Sequence, residues 1–399
     1  MKVATCTPVN FTADAHFFGR DSGLMCRGFQ AAGQDCVVVM PGVSTLGDAS
    51  DLVRVRPDQL RDSVWWRERG FLIVLLYAWG DPAHQEIATA IRRAGILLIQ
   101  NLDSAGIESP YANASRWWRS LAGMIAGPQP LTRKIRLIGR SIRDLVPVIY
   151  ERRRLCMMRE ADFLGAVSPP AARAIKEYAR ALGFPEVAEK VLTIPHPVSM
   201  EMVWNGEAKA KRVLCVGRWH KEDHHQKDPH TLLQVLAAFL RERPDWSAEV
   251  IGRGASQLSA SAKNTSMADL GQRLCYTETL DRPTLRKHYA MSSILLCPSR
   301  FESFHISSAE ALCCGCSVVV ADHPLLASTG WFTTRDSGTL AKSRRPMDLL
   351  AALLTEARLW DSGLRSGLTI SSAWSADLHA SSVAQSLLAI TFPSKSPNL

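Results

Sequence analysis

The sequence predicts an α/β protein of two doubly wound domains facing each other across a cleft, each a parallel sheet with helices on both faces. Three observations carry this. Short β-branched apolar runs alternate with segments of helical period, the pattern of strands joined by crossover helices. The alternation occurs twice, once in each half of the chain. A chain of 399 residues also exceeds one ordinary core, so two domains of roughly 150 to 200 residues are expected.

In the first half the strands read KVATCTP (2–8), DCVVVMP (35–41), FLIVLLYAW (71–79), ILLIQNLD (96–103), DFLGAVS (162–168) and KVLTIPHPV (190–198). Between them DPAHQEIATAIRRAG and SPPAARAIKEYARALG have helical period, and Ser168 followed by Pro169 is a helix start. A polar stretch, SMEMVWNGEAKAK, fits a linker, with the hinge between Pro197 and Lys211. The second half runs RVLCVG, AEVIGRG, RLCYTET, ILLCPSR and CSVVVAD, again with helices between. The expected division is 1–200, carrying a basic insertion at 111–160, then 201–370, then a C-terminal helix within 371–399 that returns to the first domain.

The N-terminus lacks an apolar segment with a cleavage signature and reads as unprocessed. FLIVLLYAWG is half the length a membrane span needs and reads as a buried strand. Ten scattered cysteines fit free thiols in a reducing cytosol, and CCGC (313–316) fits buried structural thiols. The net charge of +9 is concentrated. From Tyr111 to Arg159 eleven Lys or Arg (Arg116, Arg119, Arg133, Lys134, Arg136, Arg140, Arg143, Arg152, Arg153, Arg154, Arg159) face only Asp144 and Glu151, so this segment accounts for the whole excess. Trp117, Trp118 and the helically spaced Ile135, Ile138, Ile142 and Leu145 set apolar groups beside the charge. Two readings stay open, a surface for anionic membranes and a solvated structural arm. No nucleic-acid-binding fold accompanies the charge, so nucleic acid is not expected.

Two stretches carry chemistry. GRWHKEDHHQKDPH (217–230) holds His220, His224, His225 and His230 among carboxylates, which raises a metal site or a phosphate-binding loop that happens to contain histidines. CPSRFESFHISSAEALCCGCSVVVAD puts Glu302 after a strand and Glu310 eight positions later. A helix starting between Ser303 and Ile306 would leave Glu302 at its mouth and Glu310 on its face, so that one carboxylate could hold a sugar ring and the other a ribose diol. Backbone N–H groups of Phe304 and His305 would meet a phosphate.

With its frame, PSRFES…EALCCGCSVVV, this pattern resembles the retaining glycosyltransferases of the "group 1" family, also called family 4, which have the GT-B architecture of two Rossmann-like domains. VGR, VIGRG and ILLCPS match at the expected intervals, as do VSPPAARAI and VLTIPHPV; the first domain matches more weakly. The resemblance implies a donor site of Gly217, Arg218, Lys227, Gly252, Gly254, Glu302, Ser303, Phe304, His305, Ile306 and Glu310. Arg218 and Lys227 would hold the donor diphosphate, Glu302 would orient the sugar and Glu310 the ribose. The histidines then ride on a phosphate-binding loop, with no metal and no cofactor beyond the nucleotide sugar. Transfer would proceed on one face of the sugar with retention. Glu302, Arg218, Lys227 and Asp103 are the implied catalytic groups, Asp103 with a helix cap as its bland alternative. On the acceptor side Gly19, Arg20, Asp21 and Gly23 stand where the family has a glycine-rich loop. The acceptor would be a glycan, a lipid-linked sugar or a small molecule, and the location cytoplasmic, with the inner face of the membrane as the alternative. Ser303 and His305 stand where relatives have glycine, and His196 where asparagine is common. A nucleotide-sugar-binding protein without turnover, or another GT-B enzyme such as an epimerase or phosphorylase, is the rival reading.

Overall fold

A computed structural model of the chain describes residues 1–13, 15–44, 48–102, 117–118, 121–122, 125, 131–144, 150–263 and 267–392. They form two compact units: Met1–Pro197 with Ala380–Leu399, and Val198–His379.

The first unit holds a seven-stranded sheet. Its strands are β1 (Lys2–Cys6), β2 (Asp35–Pro41), β3 (Leu52–Val55), β4 (Ile73–Tyr77), β5 (Leu97–Asn101), β6 (Phe163–Ala166) and β7 (Val191–Thr193), in the order β3-β2-β1-β4-β5-β6-β7. Every pairing is parallel. β4 is buried at all five positions, which is why its sequence is apolar without alternation: helices cover both faces of a parallel sheet. Ser168 caps the Pro169–Ala181 helix, its hydroxyl accepting from the Ala171 amide at 3.2 Å.

The second unit repeats the plan with β8 (Ala210–Val216), β9 (Ser247–Ile251), β10 (Leu274–Thr277), β11 (Ser292–Leu296), β12 (Ser317–Ala321) and β13 (Gly338–Ala341), ordered β10-β9-β8-β11-β12-β13. In both sheets the strand order reverses beside the first strand, between β1 and β4 and between β8 and β11. Loops leaving neighbouring strands diverge at such a point and open a crevice at the carboxyl ends. The cores are separate. One joins Trp219, Phe239 and Trp246 with strands of the second sheet. The other joins Val3, Leu75 and Ile99 with Val383, Ala384 and Leu387 of the Ala380–Thr391 helix.

Two strands were not legible in the sequence. β3 (LVRV) and β13 (GTLA) are four residues long and lie at sheet edges, where one partner suffices and no long apolar run is needed. All ten cysteines are free, and Cys313, Cys314 and Cys316 are buried.

Candidate active site

The second sheet's reversal point gathers the chemistry. Gly217 and Arg218 follow β8, and Gly252 and Gly254 follow β9. These glycines are dictated by backbone contact. Gly252 has φ +127°, and a Cβ there would lie 1.9 Å from the Gly217 carbonyl oxygen; at Gly254, with φ +93°, it would lie 2.8 Å from the Trp219 carbonyl carbon. The two loops pack backbone to backbone, and any side chain would part them.

Lys227 and Glu302 lie 75 residues apart in the chain, yet the Lys227 ammonium donates to Glu302 Oε1 at 2.5 Å, with both side chains about nine-tenths buried. The loop after β11 is stitched to the turn after β8. The Arg300 amide donates to the Gln226 carbonyl at 2.7 Å, Arg300 Nε pairs with Asp228 at 2.9 Å, and Gln226 Nε2 donates to Glu302 Oε2 at 3.2 Å. Asp228 adopts φ +47° so that the chain can turn from Lys227 into the Pro229–Glu242 helix, which its own carboxylate caps at the Thr231 amide. Burial pushes the Glu302 carboxyl up, but the charge of His305, present once acid protonates it, and that of Lys227 hold it below its ordinary range. Burial also pushes His305 down to about 4. That imidazole is therefore neutral at neutral pH, and Lys227 is the cation that keeps Glu302 ionised.

His305 precedes the Ile306–Cys313 helix with φ +69°, the left-handed region that favours glycine. Its Nδ1 shares a 2.6 Å hydrogen bond with the Ser308 hydroxyl. Ser303 and Ile306 are half-buried beside it, whereas the Phe304 ring is fully buried and stands edge-on to Phe332 at 5.1 Å. Only the backbone of Phe304 can serve a ligand. Glu310 is buried within the helix; Arg282 reaches its Oε1 at 3.4 Å and the Tyr289 hydroxyl donates to its Oε2 at 3.2 Å.

Arg218 is exposed and pairs with Asp223 at 3.1 Å. The loop histidines do not converge. His224 bonds the Trp219 carbonyl, His225 the Glu222 carbonyl and His230 the Gln234 side chain. Among the described residues no three of His, Cys, Asp or Glu could together hold a metal ion.

Sequence reasoning passed over Gln226, Arg282, Tyr289 and Glu278. Glu278 occupies the Gly254 amide, accepting from it at 3.0 Å and from the Ser256 amide at 2.9 Å. Its signal was its place at the end of β10, the carboxyl side of the same sheet.

In the first unit Asp21 starts the Asp21–Ala31 helix at φ +46° and pairs with Arg20 at 2.7 Å. The buried His196 has Nδ1 3.9 Å from Asp21. Gly19 is half-buried, and a Cβ on Gly23 would lie 2.5 Å from the Phe17 carbonyl oxygen. Asp103 lies outside the described residues, as do Tyr111, Arg116, Arg119, Leu145 and the side chains of Arg133, Arg140 and Arg143.

Two parallel-sheet units with their loops gathered at the carboxyl ends define the GT-B fold class. Residues 210–356, most of the second unit, match the family model "Glycosyl transferases group 1". The chain is 27% identical over 238 residues to a D-inositol 3-phosphate glycosyltransferase of Geodermatophilus obscurus, covering 52% of this chain and 49% of the relative. It is 30% identical over 163 residues to the enzyme of that name from Kineococcus radiotolerans, covering 37% and 36%. The chain thus spans half or less of these relatives' lengths. Among solved structures, Anabaena Alr3699/HepE in complex with UDP superposes with a TM-score of 0.63 at 15% identity, covering 99% of this chain and 100% of that one. The lipopolysaccharide outer core galactosyltransferase WaaB superposes with 0.61 at 16% identity, covering 98% and 99%. At such identities these likenesses concern the fold.

Proposed function

We propose that the protein is a glycosyltransferase that moves a sugar from a nucleoside diphosphate sugar to a hydroxyl acceptor, with retention and without a metal ion. The observation that carries this reading is the buried Lys227–Glu302 pair at the reversal point of the second sheet. A lysine held there supplies fixed positive charge where a leaving diphosphate becomes more negative, and Glu302 keeps the ammonium aimed while offering its other oxygen to a sugar hydroxyl. Arg218, on an exposed loop, would exchange Asp223 for phosphate oxygens when the donor arrives. Gly217, Gly252 and Gly254 let the donor approach the backbone, and the turn from Ser303 to Ile306 brings amides toward it. Glu310, steadied by Arg282 and Tyr289, takes the ribose. Relatives named as glycosyltransferases and fold neighbours holding UDP or UDP-glucose support a nucleotide-sugar donor. Gly19, Arg20, Asp21, Gly23 and Asp103 are assigned to the acceptor side.

The purified protein, screened against nucleotide sugars and mixed acceptors, should form a glycoside of the donor's own anomeric configuration. Glu302→Ala, Arg218→Ala and Lys227→Ala should each raise the barrier by about 2.7 to 4 kcal/mol. Normal turnover in any two of them refutes the site, and ligand binding without turnover under every donor refutes the enzyme.

We further assign the acceptor to an anionic membrane surface. Among the described residues no helix is long and apolar enough to cross a membrane. The Leu131–Asp144 helix exposes Leu131, Ile135, Ile138 and Ile142 along one stripe, beside Lys134 and Arg136, and Trp118 is exposed too. At about 1 kcal/mol per engaged cation, four or five would give reversible attachment. The protein should sediment with anionic vesicles at low salt and less after Arg133, Lys134, Arg136 and Arg140 become Ser. Wild-type protein left in the supernatant at low salt refutes this assignment alone.

A further inference from the structure

A groove of about 1310 Å³ opens within the first unit, along the outward face of the Gln85–Arg93 helix. It differs in place from the donor site, which is built on the second sheet. Four arginines from four separate elements line it: Arg61 ahead of the Ser63–Glu68 helix, Arg93 at the end of the Gln85–Arg93 helix, Arg136 on the Leu131–Asp144 helix and Arg153 on the Tyr150–Glu160 helix. Its two carboxylates are already engaged. Glu86 pairs with Arg61 at 3.1 Å, and Asp81 caps the next turn, accepting from the Ala83 amide at 3.0 Å. Arg93, Arg136 and Arg153 have no carboxylate partner among the described residues. Folding has therefore brought three uncompensated guanidinium groups to one concavity, a cost in mutual repulsion that an anionic ligand would relieve.

The helix that carries Arg153 is anchored from behind the groove's lining residues. Arg154, buried next to Arg153, donates to the Gly80 carbonyl at 2.9 Å and pairs with Glu151 at 3.1 Å, and Tyr178 donates to Glu151 as well. This network ties the Tyr150–Glu160 helix to the loop after β4. Opposite, Gly139 keeps the groove wide: a Cβ there would meet nothing within 4 Å.

We propose that this groove is a binding site for a phosphate group carried by a larger molecule. Planar guanidinium forks approaching from several sides match phosphate oxygens. The volume exceeds the roughly 300 to 1,000 Å³ of small-ligand pockets, so there is room for what the phosphate is attached to. The phosphate can belong to a soluble phosphorylated compound or to a lipid headgroup. The inference stands whether or not the chain transfers sugar.

The test uses the whole protein. Equilibrium dialysis against radiolabelled inorganic phosphate compares wild type, Arg180→Ser as a control that removes an exposed arginine of the first unit outside the groove, the double variant Arg93→Ser/Arg153→Ser, and Gly139→Leu, which fills the groove while favouring its helix. Wild type and Arg180→Ser should bind alike, and the two groove variants at least about tenfold more weakly, the double variant through lost charge-assisted contacts and Gly139→Leu by occupying the space. Because Gly139→Leu removes no charge and stabilises its helix, its loss cannot be ascribed to unfolding. Phosphate binding that survives both groove variants, or that falls equally in Arg180→Ser, overturns the proposal. Sedimentation with vesicles of phosphatidylcholine and phosphatidylglycerol then separates the sources. Displacement of wild-type protein by free phosphate, with weaker sedimentation of Gly139→Leu, assigns the groove to a headgroup; sedimentation indifferent to both assigns it to a soluble phosphorylated ligand.

Discussion

Replacing Lys227 with Met keeps most of the side-chain volume and removes only the charge that faces Glu302. The carboxylate is then stranded in a site that is about nine-tenths buried, with Gln226 Nε2 still donating to it at 3.2 Å. Stranding one partner of a buried pair typically costs about 3 to 5 kcal/mol. Glu302 has an escape, because it can take up a proton. From the ordinary glutamate value of 4.5, neutralising it at pH 7 costs about 3.4 kcal/mol, and this caps the penalty. In wild type the Glu302 pKa is lowered, so the pair's contribution is present above the unfolded value and fades as pH falls through the folded one. In Lys227→Met burial acts unopposed and the pKa rises, so the variant loses stability as pH climbs above about 4.5. The difference between the two should therefore grow by about 1.4 kcal/mol per pH unit, from roughly 0.7 kcal/mol at pH 5 toward the cap at pH 7. Hydrogen exchange of peptides from β8 and β11 isolates the second unit, where a two-unit chain would blur a single melting curve. Lys227→Met/Glu302→Gln should recover most of the loss. An equal deficit at pH 5 and pH 7, or no rescue by the second change, refutes the reasoning.

His305 is held neutral by burial, so protonation at acid pH favours the unfolded chain. Between pH 7 and pH 5 the second unit should lose about 2 kcal/mol that a His305→Asn variant, whose new residue tolerates positive φ, does not lose; identical acid profiles would contradict this. Gly252→Ala should destabilise the second unit by on the order of 3 kcal/mol or more through the clash with the Gly217 carbonyl, whereas Gly33→Ala, with open space around it, costs only its left-handed strain; comparable unfolding midpoints would speak against the backbone contact. Sugar transfer should persist after exhaustive chelation, and activity restored by one specific ion after its complete loss would return the 217–230 histidines to a metal site.

What the sequence revealed follows from what local pattern can encode. Central strands such as β4 are buried on both faces and therefore apolar throughout, so they stand out. The edge strands β3 and β13 need no such run. At the candidate site, spacing pointed to Glu302 and Glu310 and the family resemblance to Lys227, but each was assigned separately to a ligand. Their protein partners come from other segments of the chain: Glu302 with Lys227, Glu310 with Arg282 and Tyr289. Pairing across 75 residues leaves no periodic trace. The left-handed backbone of His305 is not written in the residue itself; its trace was the glycine that the resembling family has at that place.

The Ala380–Thr391 helix belongs to the first unit: its Val383, Ala384 and Leu387 enter the core that holds Val3, and Gly28 meets the Ala380 carbonyl so closely that a Cβ would lie 2.3 Å from that oxygen. Vectorial synthesis therefore presents the first unit with a gap. Its strands emerge from the ribosome early, but its last structural component is made only after the whole second unit. That second unit, continuous from Val198 to His379, can close on its own in the meantime. Until then the nascent first unit keeps an apolar face uncovered, which makes it the part of the newborn protein that a holding chaperone would engage. A ribosome that stalls after residue 379 would release a chain with one finished unit and one that cannot complete its core.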